Sequence, residues 1–154
     1  MRDNESGVSW QSGTAEAEED SILGIEYHFF GNGAASVRLG NRDAQSRVCV
    51  VSGFSSKLEQ DVLHFLLKGS QPIIIVLARK MYKVIPDELK EPLAQNRLLI
   101  ISVSTAIRQS RVTAMARNKY VCEMADRILF VGVTEQSSLH SYKNEFRNKL
   151  EESI

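Results

Sequence analysis

Apolar positions in this chain follow two alternating rhythms from Val48 onward. Val48–Ser52, Ile73–Leu77, Leu98–Ser102 and Ile128–Val133 are short, nearly continuous apolar runs. Such runs predict strands of a parallel sheet covered on both faces. Between them the spacing is helical. Lys57 to Leu67 sets Leu58, Val62, Phe65 and Leu66 on one face, and Lys57, Asp61, His64 and Lys68 on another. Gly69 stands where a left-handed glycine would close that helix. Pro86 suits the first turn of a short helix through Leu89, which Pro92 ends or kinks. Thr113 is placed to cap a helix running to about Met124, and a last helix covers about residues 138–151. Strand and helix thus alternate four times, which predicts right-handed crossovers and helices on both faces. The expected fold class is α/β, a Rossmann-like three-layer sandwich with a mostly parallel sheet.

The first third of the chain is different. Residues 1–20 are rich in Ser, Gly and Glu and are expected to be a disordered acidic tail. Residues 21–154 are expected to form one domain, with 21–47 a divergent part that offers no clean βαβ unit. Within it, Ile22–Phe30 reads as a short strand or helix, and Gly31-Asn-Gly33 and Gly40-Asn41 read as turns flanking Val37–Leu39. No run approaches the roughly 18 apolar residues of a membrane span, and the acidic amino terminus is no signal peptide. Cys49 and Cys122 lack metal-ligand spacing and read as buried thiols of a cytoplasmic protein.

Charge changes the picture in one respect. The 154 residues balance 19 bases against 19 acids, yet the first twenty hold six acids and one base. They carry −5, so the remainder carries +5. A mildly basic domain suits a polyanionic partner.

In an open α/β sheet, ligands bind beyond the carboxyl ends of the strands. The turn Ser52-Gly53-Phe-Ser55-Ser56-Lys57 lies there after the first run, and Ser56 with Glu59 has the spacing of a capping box. Gly53 permits a close approach that a side chain would block. Free N–H groups at such a helix start favour phosphate. Arg79, Lys80 and Lys83 follow the second run, and Arg108 and Arg111 the third, with Arg117, Asn118 and Lys119 further along. Arg47, Arg97 and Arg127 precede three strands at the opposite edge. The candidate phosphate-binding set is therefore Ser52, Gly53, Ser55, Ser56, Lys57, Arg79, Lys80, Arg111, Arg117, Asn118 and Lys119, with Phe54 or Tyr82 as a base-stacking ring. Glu59 is a possible acid. His28, His64 and His140 are scattered and make no metal site. Ser52 lacks the flanks of a nucleophile elbow. No G-x-G-x-x-G follows a strand, so no dinucleotide cofactor is expected.

These residues resemble the DNA-processing protein A (Smf) family of bacterial Rossmann-like proteins, within the lysine-decarboxylase-like superfamily. The resemblance rests on Val50-Val-Ser-Gly53, Gly69, the run Ile73–Leu77, Ile85-Pro86, Arg97-Leu-Leu-Ile-Ile-Ser102, Arg117-Asn118-Lys119 and Ala125-Asp126-Arg-Ile-Leu-Phe-Val131, in that order. It implies a non-catalytic domain that binds single-stranded DNA at the strand carboxyl ends, forms a homodimer and serves a RecA-type recombinase. Ser52, Gly53, Arg117 and Asn118 match family positions, Glu59 stands for an Asp, and Lys119 for an Arg. Ser56 and Lys57 replace the family's Arg-Gly. Two other readings stand beside it. One is a nucleotide sensor or nucleoside-monophosphate N-glycoside hydrolase, although the Pro-Gly-Gly-x-Gly-Thr motif of those hydrolases is absent. The other is a degenerate protein-interaction scaffold.

Overall fold

The computed structural model describes residues 20–26 and 48–151. Expectations for residues 1–19 and 27–47 lie outside this set, among them the disordered tail, the glycine turns and Arg47. Among the described residues five strands and four helices follow in the order β1 (Ser21–Glu26), β2 (Cys49–Ser52), α1 (Lys57–Leu67), β3 (Ile73–Leu77), α2 (Asp87–Ala94), β4 (Leu98–Ser102), α3 (Arg111–Met124), β5 (Arg127–Val131) and α4 (His140–Glu145). No helix among the described residues is long and apolar enough to cross a membrane.

The strands form one mixed sheet in the order β4-β3-β2-β1-β5. β2, β3 and β4 pair in parallel, with Val50 opposite Ile73 and Ile73 opposite Leu98. β1 runs antiparallel to both neighbours, with Gly24 opposite Val51 on one side and Ile128 on the other. β1 resolves the ambiguous Ile22 segment as a strand, and its direction is the one departure from a parallel sheet.

β3 shows why its sequence is continuous rather than alternating. Ile74 and Val76 join a cluster with Val121, Cys122, Ala125, Phe130 and Leu139. Ile73, Ile75 and Leu77 join a second with Leu66, Leu89 and Leu98. Successive side chains point to opposite faces, so both registers must be apolar. Gly24 serves the first cluster: a Cβ there would lie 2.7 Å from the Ala125 Cβ and 2.8 Å from a Val51 methyl. The end of α3 packs on β1 only because that side chain is missing.

Helix ends differ from expectation in informative ways. α1 begins on the capping box, Ser56 accepting from the Glu59 N–H and Glu59 accepting from the Ser56 N–H. Its other end uses no left-handed glycine at Gly69. Instead the Arg97 guanidinium donates to the carbonyls of Leu67 at 2.9 Å, Gln71 at 2.9 Å and Leu66 at 3.4 Å. α2 continues past Leu89 and tolerates Pro92 inside it, closing through Asn96 at φ 61° with the Arg97 N–H on the Pro92 carbonyl. α3 is capped by Ser110, and Thr113 returns the bond from the third helical position. The last helix is shorter than expected: Phe146 leaves α-geometry and a 3-10 turn spans Arg147–Lys149. That break lets Tyr142, Phe146 and Leu150 all pack on the first cluster and lets Leu150 bridge to Ile128.

Candidate nucleic-acid interface

The carboxyl ends of β2, β3 and β4 open into three loops, and the first is filled from within. Ser52 is fully buried; its hydroxyl donates to the Ile22 carbonyl at 2.9 Å and accepts from the Phe54 N–H at 3.1 Å. Phe54 turns into the left-handed region at φ 52° and sinks into the second apolar cluster. A ring only 6% exposed is unavailable for base stacking, which corrects that expectation.

Glu59 is the hub of this corner. One oxygen accepts from the N–H groups of Ser55 at 2.9 Å and Ser56 at 3.2 Å, and the other from Ile22 at 2.8 Å. The carboxylate thus takes the free amides at the helix start, the position expected for a phosphate. Ser56 is closed off too, its hydroxyl 2.8 Å from that of Ser21. Arg117 approaches from α3 and lies flat against Gly53. A Cβ at residue 53 would overlap three atoms of the guanidinium group. Gly53 therefore permits a close approach, by the chain's own arginine. Arg117 donates to the Asn118 side-chain oxygen at 2.8 Å and the Ser55 hydroxyl at 3.3 Å. Burial lowers its pKa, and the Glu59 charge works in the opposite direction.

Ser52, Gly53, Ser55, Ser56, Glu59, Arg117 and Asn118 therefore converge on one another. The remaining candidates sit outside this knot. Lys57 is exposed and paired with Asp61 at 3.1 Å. Arg79 donates its Nε to the Lys80 carbonyl and lies over the Tyr82 ring, 5.3 Å from its centroid. Tyr82 is thus already stacked on one side. The loops after β3 and β4 are tied together by the Lys80 N–H on the Ala106 carbonyl at 2.7 Å and the Ser102 hydroxyl on the Arg79 carbonyl at 2.7 Å. On this paired platform Lys80, Lys83, Arg108 and Arg111 make no ion pair with any described residue, and neither does Lys119 on α3.

Exposed apolar side chains, not singled out by the sequence reading, are interleaved with these bases. Met81 is 42%, Val84 78% and Ile107 71% exposed. Their signal was present as isolated apolar residues inside basic loops.

The other end of the sheet looks different. Arg97 is consumed by the α1 carbonyls, and Arg127 by the Leu150 carbonyl at 3.0 Å and the Glu151 carboxylate at 2.7 Å. Glu26 lies at this end, and burial with the nearby Asp126 pushes its carboxyl up to about 7. Both cysteines are buried, which raises their thiols, that of Cys122 to about 12. They are small core residues rather than nucleophiles. No cluster of three metal-ligating side chains occurs among the described residues. Compared with protein-family models, with curated proteins and with solved structures, the chain has no match in any of the three.

Proposed function

We propose that the chain is a non-catalytic module that binds the phosphate backbone of single-stranded DNA along the loops after β3 and β4. The observation that carries this reading is the asymmetry between the two ends of the sheet. Arg97 and Arg127 at the amino end have internal partners, whereas Lys80, Lys83, Arg108 and Arg111 at the carboxyl end make no ion pair with a described residue. Clustered like charges repel, and a polyanion relieves that cost. The interleaved Met81, Val84 and Ile107 favour a single strand, whose exposed bases need apolar contacts that a duplex does not.

The finer fold reading is a Rossmann-like three-layer sandwich with β1 inserted at the switch point between β2 and β5. In such sheets the ligand crevice opens where strand order reverses. β1 fills that place and Glu59 neutralises its amides, so the ligand is displaced toward the β3 and β4 loops. The same occupancy weighs against a buried mononucleotide and against Glu59 as a hydrolytic acid, because both its oxygens hold backbone N–H groups. The resemblance to DNA-processing protein A extends the proposal to a homodimer that hands its strand to a RecA-type recombinase.

Thermal shift tests the ligand class. A ligand at 100 times its Kd stabilises by about 2.7 kcal/mol. For a domain of this size that is a rise of roughly 5–10 °C. Oligothymidine is expected to produce it and mononucleotides are not; the reverse pattern overturns the proposal.

A further inference from the structure

The two edges of the sheet are finished differently. Beyond β5 the chain covers its own edge. Leu150 bridges in parallel to Ile128, the Glu151 N–H donates to the Ile128 carbonyl, and Arg127 reaches the Leu150 carbonyl. Beyond β4 no described residue pairs with the strand. The Ile73 N–H donates to the Arg97 carbonyl at 2.8 Å, and the Val103 N–H to the Leu77 carbonyl at 3.1 Å. Alternate residues of a parallel strand bond the same neighbour, so Arg97, Leu99, Ile101 and Val103 turn their peptide groups toward β3. Those of Leu98, Ile100 and Ser102 point the other way. An open edge is usually protected by charge or proline, and residues 98–107 contain neither. Leu99, Ile100 and Ile101 are only half-buried.

We propose that β4 is where a second copy of this chain adds its own β4, antiparallel about a twofold axis at Ile100, joining the two sheets into one. The pairing stands apart from nucleic-acid binding and gives the homodimer proposed above its interface. An open strand edge takes another strand, because only extended backbone matches its row of donors and acceptors. Three features select a second copy. The first is spacing: the outward groups of Leu98 and Ser102 lie evenly on either side of Ile100. In the twofold register Ile100 meets the partner's Ile100 and Leu98 meets the partner's Ser102, so every outward N–H and C=O is paired. The second is charge. Like charges facing each other across a strand pair oppose self-pairing, and β4 has none to face. The third is the side chains. Leu99 comes opposite the partner's Ile101, and Ile100 opposite the partner's Ile100, so half-buried apolar surface is covered on both faces. Five residues a side fall well short of the roughly 20–30 of a standard interface, so the dimer is weak and concentration-dependent. Antiparallel pairing also turns the basic loops of the two copies to opposite ends of the joint sheet, leaving both open.

Cysteine cross-linking of the full chain reads the register without any DNA. Directly opposed residues of a hydrogen-bonded antiparallel pair have Cα atoms about 5.5 Å apart, inside the roughly 4.4–6.8 Å that a disulfide spans. Ile100→Cys is therefore expected to link two copies under mild oxidation, while the buried Cys49 and Cys122 do not. Thr105→Cys, exposed but beyond the strand and off the axis, reports chance collision and is expected to stay unlinked. No link through Ile100→Cys, or equal linking of the two variants, overturns the pairing. Light scattering supplies the second readout. The mass of the parent should rise with concentration toward twice that of one chain. Ile100→Pro removes an outward donor and leaves the ladder to β3 intact, so the folded variant should stay monomeric. If it does not fold, the disulfide pattern decides. A dimer that persists in folded Ile100→Pro overturns this interface but not the homodimer. A parent that is monomeric at every concentration overturns both, and oligothymidine binding is judged separately from either.

Discussion

Replacing Glu59 by alanine removes the acceptor of three backbone N–H groups in one corner of the fold. Those of Ile22 and Ser56 are buried, and that of Ser55 is partly so. An orphaned buried donor costs about 1–3 kcal/mol. Arg117, only 4% exposed, also loses the nearby carboxylate that favours its charged form. The two make no ion pair, so this loss is smaller than that of breaking a buried pair, about 3–5 kcal/mol, and the orphaned donors dominate. The two effects overlap, since both describe the same vacated corner, so the expected loss is about 3–5 kcal/mol rather than their sum. Against the usual 5–15 kcal/mol of a folded domain that is a large share. With an m-value near 2 kcal/mol/M, the urea midpoint followed by circular dichroism should fall by roughly 2 M. Glu59→Gln retains one acceptor oxygen and should fall between parent and alanine variant. Lys57→Ala, which removes only an exposed i,i+4 pair, should leave the midpoint within error. A midpoint for Glu59→Ala within about 0.5 M of the parent would refute the carboxylate as the hub of this corner.

Two other perturbations probe the frame. Gly24→Ala forces a methyl between Ala125 and Val51, and overpacking of this kind costs about 1–3 kcal/mol; unchanged stability by urea titration would show that α3 can withdraw from β1 freely. Glu26 has a folded-state pKa raised from 4.5 to about 7, so the folded protein holds a proton that the unfolded chain releases between those values. Its contribution is complete below pH 4.5 and is lost as pH rises through 7, a change of about 1–2 kcal/mol once partial exposure is allowed for. Stability of the parent should therefore decline from pH 5 to 8 relative to Glu26→Gln, and parallel curves would contradict the assignment.

The regular part of the fold was legible because local and global preferences agree. β3, β4 and α1 match their predicted ranges to the residue, since continuous β-branched runs, a capping box and short links all point the same way. The direction of β1 was not legible. Six residues of mixed apolar and polar character satisfy either orientation, and the choice is made by pairing with β2 and β5, which are distant in sequence. The site was half legible. Spacing brought Ser52, Gly53, Glu59 and Arg117 to one corner, yet spacing says nothing about whether a carboxylate or a ligand fills it. The antiparallel strand decided that, because its Ile22 N–H supplies the third donor that fixes Glu59 in place. Arg97 shows the converse: the sequence places it only before a strand at the opposite edge, yet it caps a helix, since two carbonyls of the α1 terminus and that of Gln71 converge on it.

The central claim is that the loops after β3 and β4 hold a phosphate backbone. Fluorescence anisotropy of labelled oligothymidine against salt tests it directly, comparing the parent with the triple variant Arg79→Ala, Lys80→Ala, Arg111→Ala. Single-strand binding should weaken with a log–log slope of about −0.7 for each phosphate neutralised. The triple variant should therefore bind more weakly at low salt and lose about 2 from the magnitude of that slope. Binding whose affinity and salt slope are the same in the parent and the triple variant would contradict the claim.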